Sequence, residues 1–202
     1  MSAIVLRGGI EVAKPLELAL DVLTTFSSDR ADDPSRATSF DEADLRLANR
    51  DGARIAASEI AAILERRDEI EGALREIDPD ASLMAATTSV PWIPLRRLFD
   101  GFADIRGVGF SKMTKALHRK RPALIPMLDS VVQVYLLSDE LPARSAESFG
   151  ERAVALVRSY KRDLDRNRSA LQEVERELAR RKLRLTEVRI LDLVIWSVST
   201  AN

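Results

Sequence analysis

From Ala153 to Leu178 the core-type residues fall alternately four and three positions apart: Ala153, Val157, Tyr160, Leu164, Asn167, Leu171, Val174 and Leu178. A strand buries every second residue. This spacing instead demands helix, with one polar member, Asn167, in an otherwise apolar seam. It fits one long helix. It equally fits two, because Ser169 and Gln172 have the spacing of a capping box that restarts the chain after Asp165-Arg166-Asn167. The seam packs either inside a helical bundle or against a second copy, so a homodimer stays open.

The rest of the chain agrees with a helical fold. Aromatic residues make up 5% of the 202, while Ala, Leu and Arg are frequent, a mixture that favours helices over sheets. A chain of this length buries enough surface to need no metal or disulfide staple. The absence of cysteine excludes disulfides, thiol catalysis, zinc-thiolate sites and iron–sulfur clusters. One histidine, His118, gives neither a histidine-based triad nor a multi-histidine metal site. No cofactor is expected. The N-terminus lacks the apolar run of a signal peptide, and no run of about 18 apolar residues exists to span a membrane. The expected location is the reducing cytoplasm.

Ile4-Val5-Leu6 and Ile10-Glu11-Val12 flank Arg7-Gly8-Gly9, as a short β-hairpin or an extended lead-in. Pro15 opens a helix to Phe26, and Ser27–Ser39 is a loop. Asp41 caps a helix to about Asn49. Ala57–Ile77 reads as one helix with Ile60, Ile63, Leu64, Ile70, Leu74 and Ile77 as its stripe. Pro94 suits the first turn of a helix to about Ala103. A helix from Phe110 to His118 follows, then a proline-containing stretch to Leu128. Asp129 or Ser130 caps a helix to Leu137, and Pro142 marks a boundary. The final helix, Thr186–Ser199, is apolar on most sides and belongs in the core. Arg189 and Asp192, three apart on it, are expected to form a partly buried ion pair. Trp196 is read as core, and His118 as a helix-end residue that favours the dipole when charged. Residues 31–141 form a helical region. Residues 1–30 with 142–202 pack beside it as a second layer of a single globular unit.

Net charge is −1, but the charge is unevenly distributed. Asp29–Asp80 carries 15 acidic and 8 basic side chains, a net of −7. Pro91–Ile125 carries 8 basic and 2 acidic ones, a net of +6. The positive segment contains Gly107-Val108-Gly109. Glycine lets the chain reverse tightly and leaves N–H groups at the start of the next helix, where the dipole favours an anion. Lys112, Lys115 and Arg119 share one face of that helix, while Phe110, Met113 and Leu117 share another. This is the pattern of a phosphate-backbone contact made by Gly107, Val108, Gly109, Ser111, Lys112, Lys115, Arg119, Lys120 and Arg121. The plainer alternatives are a helix–helix connection for the turn and a solvated face for the cations.

Leu98, Ile105, Gly107-Val108-Gly109 and Leu117 resemble a helix-hairpin-helix motif. Gly107–Asp129 resembles the extended motif of the DNA glycosylase superfamily, whose hairpin is followed by a Gly/Pro-rich loop and an Asp. Asp129 stands 20 positions after Gly109, a spacing similar to that of the endonuclease III branch. The resemblance covers Pro91–Tyr135. The run Lys112, Arg119-Lys120-Arg121-Pro122, Ile125-Pro126 and Asp129 is also similar to an uncharacterised, mostly actinobacterial family. The resemblance implies a mainly α, glycosylase-like helical bundle that binds nucleic acid, DNA favoured; no membrane partner is expected, for want of a spanning segment. In its catalytic version it implies a monofunctional base-excision enzyme using Asp129. Two departures stand out. Ser111 occupies the place of the imine-forming lysine of bifunctional glycosylases, and Met113 replaces a small residue of the second hairpin helix.

For Asp129 the rival role is capping the helix that follows. The carboxylates Asp41, Glu42 and Asp44, and Asp78 with Asp80, lie at helix ends, where capping accounts for them without a metal. Three function classes follow: backbone binding through the hairpin, base excision at Asp129, and a helical interaction protein with a degenerate hairpin.

Overall fold

The computed structural model describes residues 2–26, 38–137 and 147–200. The chain opens with a two-stranded antiparallel hairpin, β1 (Ile4–Val5) and β2 (Glu11–Val12), in the register Ile4 to Val12 and Val5 to Glu11. Gly8 and Gly9 take φ of +71° and +75° in its turn, a region open to glycine at no steric cost. Ten α-helices follow among the described residues: α1 (Pro15–Phe26), α2 (Glu42–Arg50), α3 (Ala57–Glu65), α4 (Arg67–Arg75), α5 (Trp92–Asp100), α6 (Phe110–His118), α7 (Ser130–Leu137), α8 (Phe149–Arg166), α9 (Arg168–Arg180) and α10 (Glu187–Thr200). The fold is mainly α with a short N-terminal hairpin. None of the described helices is long and apolar enough to cross a membrane.

One hydrophobic cluster runs through the molecule. α10 lies at its centre, against α1, α7, α8 and α9. α5 packs on α8 and on α4, and α6 packs on α2. The heptad-spaced seam is fully occupied inside this chain: Ala153, Val157, Tyr160, Leu164, Asn167, Leu171, Val174 and Leu178 are all buried. The helix does break, at Asn167, but not through the expected capping box. Asn167 turns its side chain to the first strand, accepting from the Val5 N–H (2.7 Å) and donating to the Val5 carbonyl (3.0 Å). The polar member of the seam is therefore an anchor for the hairpin.

Arg7 makes the second anchor. Its guanidinium is buried, bonding Asp163 (2.7 Å), the Leu136 carbonyl (2.8 Å) and Ser159 (2.9 Å). It thus ties the hairpin to both α7 and α8. Lys161 does the same for the loop before α5, reaching the carbonyls of Leu83 and Ala85 at 2.8 and 2.9 Å. A buried cation costs several kcal/mol unless it is bonded on most sides, and each of these is.

Two expectations are revised. The single helix over Ala57–Ile77 is two, separated at Arg66, where ψ is 14°. His118 ends α6, as read from the sequence. It is buried, with its Nδ1 2.6 Å from the Ile125 carbonyl, because the proline-containing stretch folds back over it. Arg189 and Asp192 do not pair with each other. Met127 stands between them, its Sδ 3.1 Å from the Arg189 guanidinium and its N–H donated to Asp192 Oδ2 at 3.1 Å. The expected loop Ser27–Ser39 (but for its last two residues) and the boundary at Pro142 lie outside the described residues.

Gly150 fixes the closest helix contact. A Cβ there would lie 2.5 Å from the Arg96 carbonyl oxygen and 2.7 Å from the Asp100 carboxylate. The same Asp100 accepts the Gly150 N–H at 2.7 Å. Gly150→Ala forces α8 away from α5 and should destabilise the fold by about 1–3 kcal/mol, read as a fall of several degrees in Tm. An unchanged Tm would contradict this packing.

Candidate functional site

The basic run after the glycine turn is not laid out toward solvent. Lys112 Nζ bonds both oxygens of Glu59 at 2.7 Å. Arg119 reaches Asp51 at 3.3 Å. Lys120, 2% exposed, pairs with the buried Asp44 at 2.6 Å. Arg121 is completely buried and donates to the carbonyls of Leu74 and Ile77 at 2.8 Å each, at the C-terminal end of α4. Asp41 and Asp44 form the capping box of α2. Glu59 is held below the usual carboxylate range: burial pushes it up, but Lys112 and the Ala56 N–H outweigh that.

The turn itself has the backbone expected of it. Gly107 takes φ +85°, and the Val108 N–H closes on the Ile105 carbonyl at 3.0 Å. Val108 is buried, whereas Gly107 and Gly109 are exposed. The Glu59 carboxylate, however, packs directly on Gly107, where any Cβ would collide with it. Ser111 is half-buried on α6, and Met113 is fully buried beneath the turn. Among the described residues no acidic or histidine cluster could hold a metal.

Asp129 and Lys115 go elsewhere, to a cavity of about 310 Å³ where α6 and the start of α7 meet α1 and α10. That volume is at the small end of ligand pockets. Asp129 caps α7, accepting the Val132 N–H at 2.9 Å through Oδ1. Its Oδ2 accepts nothing among the described residues. Cap and cavity wall are thus one residue, as a carboxylate at a helix start permits. Lys115 donates to the Asp51 and Gly52 carbonyls at 3.1 and 3.4 Å. Its pKa is lowered, mainly by burial, with Asp129 and Asp51 opposing that and Arg189 and Arg54 adding to it. Arg50 and Arg189 complete the cationic side, and among the described residues neither has a carboxylate partner. Val22, Leu23, Val132, Leu193 and Trp196 supply the apolar side.

The cavity floor holds Asp192, 3% exposed. Burial pushes its carboxyl up to about 6, against the opposing pull of His118, Arg189, the Met127 N–H and the nearby Tyr160 hydroxyl. Its Oδ1 is buried with no hydrogen-bond partner.

Of the sequence-predicted residues, Asp129 and Lys115 come together here, while Lys112, Arg119, Lys120 and Arg121 are drawn onto α2, α3 and α4. Trp92, Phe99, Phe102, Phe110 and Tyr135 do not line the cavity. Phe99 and Phe102 are core, Trp92 lies under Arg158, Phe110 packs on Phe149, and Tyr135 contacts Arg7. Trp196 is partly buried against the core, as read from the sequence, and its remaining face lines the cavity. Arg50, Arg189 and Asp192 went unrecognised as site residues. The one available signal was two charged residues on an otherwise apolar helix.

A carboxyl whose folded pKa lies above its unfolded value of 3.8 destabilises the fold when ionised. Below about pH 4 Asp192 is protonated in both states. As pH rises through about 6 the folded state takes on the full penalty, on the order of 3 kcal/mol for two pH units. Asp192→Asn should therefore raise Tm by several degrees at pH 8, with the gain shrinking toward pH 4. A gain that is absent, or equal at both pH values, would contradict the burial of that charge.

The model of a family of unknown function, DUF6308, matches residues 25–199. No curated protein and no solved structure matches the chain. The match takes in the helices that hold the basic run and every cavity-lining residue except Val22 and Leu23 of α1, and the chain belongs to this DUF6308 family.

Proposed function

We propose that the protein binds nucleic acid by taking one nucleotide unit into the cavity beside Asp129. The observation that carries the reading is the composition of that cavity. Arg50, Lys115 and Arg189 offer an anionic group three cations, Trp196 offers a ring an aromatic wall, and Asp129 and Asp192 offer acceptors. Phosphate, flat ring and hydrogen-bond donors occur together in a nucleotide. Arginine and lysine recognise phosphate by charge, and stacking tolerates any base. The resemblance of Gly107–Asp129 to glycosylase sequences supports the same class of partner. In this reading the exposed tip Arg106-Gly107 makes at most an accessory backbone contact, because the cations behind it are engaged within the chain.

The placement of Asp129 favours a catalytic version, monofunctional base excision. The base leaves with the bonding electrons, the carboxylate stabilises the positive sugar, and water then adds with its proton passing to Asp129. Ser111 stands on the helix where an imine-forming lysine would be, so the reaction stops at hydrolysis.

The binding claim is tested by titrating a labelled single-stranded oligonucleotide, and separately CMP, at low and high salt. Arg50→Ala/Arg189→Ala should weaken binding tenfold or more, and higher salt should weaken it further. An unaffected double variant, or an equal loss from Arg106→Glu at the hairpin tip, would overturn the cavity reading in favour of the hairpin. For catalysis, duplexes carrying damaged bases are incubated with protein and cleaved with alkali. Asp129→Asn should abolish cleavage, and cleavage that persists would remove Asp129 from the reaction.

A further inference from the structure

We infer that the cavity selects a phosphomonoester, a nucleotide whose phosphate is terminal, over the phosphodiester of a strand interior. The inference rests on the nucleotide reading above and names the class of phosphate it takes. Arg189 is the observation that carries it. Its guanidinium belongs to a half-buried residue of the cavity wall, and its one acceptor among the described residues is the Met127 sulfur, at 3.1 Å. A thioether is a weak acceptor, so a fork of N–H donors stands almost unused at the cavity. Arg50, in the last turn of α2, has no acceptor for its guanidinium among the described residues. Lys115 has three N–H donors, two of them engaged by the Asp51 and Gly52 carbonyls, which leaves one.

The charges agree with the donors. Arg50, Lys115 and Arg189 line the cavity, and Arg54 adds its field from beside Lys115. Asp129 and the buried Asp192 oppose them, while Asp51 is already paired with Arg119 at 3.3 Å. Four cations against two carboxylates leave a surplus of two positive charges. A phosphodiester brings one negative charge and two terminal oxygens. A monoester brings about two negative charges above neutral pH, and three terminal oxygens. The monoester therefore matches the surplus and offers an oxygen to each of Arg50, Lys115 and Arg189. In a partly buried cavity the second negative charge counts for more than it would in water. A free nucleotide and a phosphorylated strand end both present this group. In the catalytic version the nucleotide acted on is then a terminal one.

The test is isothermal titration of the full chain at pH 8 with CMP and with the methyl ester of its phosphate. The ester keeps the base, the sugar and the phosphate position but is a diester. Short oligo(dC) carrying a 5′-phosphate, a 3′-phosphate or hydroxyls at both ends forms a second arm. CMP should bind about tenfold tighter than its methyl ester. If the source is a strand end, a phosphorylated oligonucleotide exceeds the hydroxyl-ended one by a similar factor. If it is a free nucleotide, the preference appears with CMP alone. Arg189→Gln should shrink the preference for CMP severalfold. A methyl ester that binds the wild type as tightly as CMP would overturn the inference and leave the nucleotide reading standing. So would an undiminished preference in a folded Arg189→Gln variant. Failure of every ligand to bind would overturn both. The wild-type comparison decides the matter even if the variant does not fold.

Discussion

The docking of α6 onto α2, α3 and α4 is the contact on which the rest of the structure depends, and it is made by opposite charges. The acidic segment before Asp80 and the basic segment after Pro91 are two sides of one interface. Lys112 meets Glu59, Arg119 meets Asp51, and Lys120 meets Asp44. Arg121 ends the series on the open carbonyls at the C-terminus of α4, where the helix dipole is negative. Lys120 and Arg121 are buried and Lys112 and Arg119 half-buried, so removing the partner of Lys120 above all leaves a buried charge uncompensated. The pairing fixes the rotation of α6. Lys115, on the same face, reaches the Asp51 and Gly52 carbonyls beside these pairs and lines the cavity.

The same docking sets the course of the chain after α6. The stretch from Arg119 to Leu128 folds over His118 and delivers Asp129 to the start of α7, opposite α10. Thr114 secures the approach by accepting the Leu128 N–H at 3.0 Å. α10 brings Arg189, Asp192 and Trp196 to the other wall, held in place by its burial among α1, α7, α8 and α9. The cavity thus lies where α1, α2, α6, α7 and α10 meet.

Much of the fold is legible in the sequence because helices announce themselves locally. The N-terminal hairpin follows from Gly8-Gly9 between two apolar triplets, α2 from its Asp41 cap, and α10 from its unbroken apolar run. The break at Asn167 was visible only as an alternative, since its cause is a contact with Val5, 162 residues away in sequence. The site was less legible for the same reason. Local spacing placed Lys112, Lys115 and Arg119 on one face, which is correct, and left open whether that face met solvent, phosphate or protein. The segment charges of −7 and +6 held the answer once read as a pair rather than singly. The cavity draws on α1, α2, α6, α7 and α10, so no window of sequence contains it.

The central claim is that the ligand enters the cavity beside Asp129 and does not sit on the glycine turn. Amide chemical shifts of the nitrogen-15-labelled protein titrated with CMP test this most directly. The account predicts that shifts concentrate at Asp51, Gly52, Lys115, Asp129 and Asp192, together with the Trp196 indole N–H. Shifts confined to Arg106 through Lys112, with the cavity residues unmoved, would contradict it.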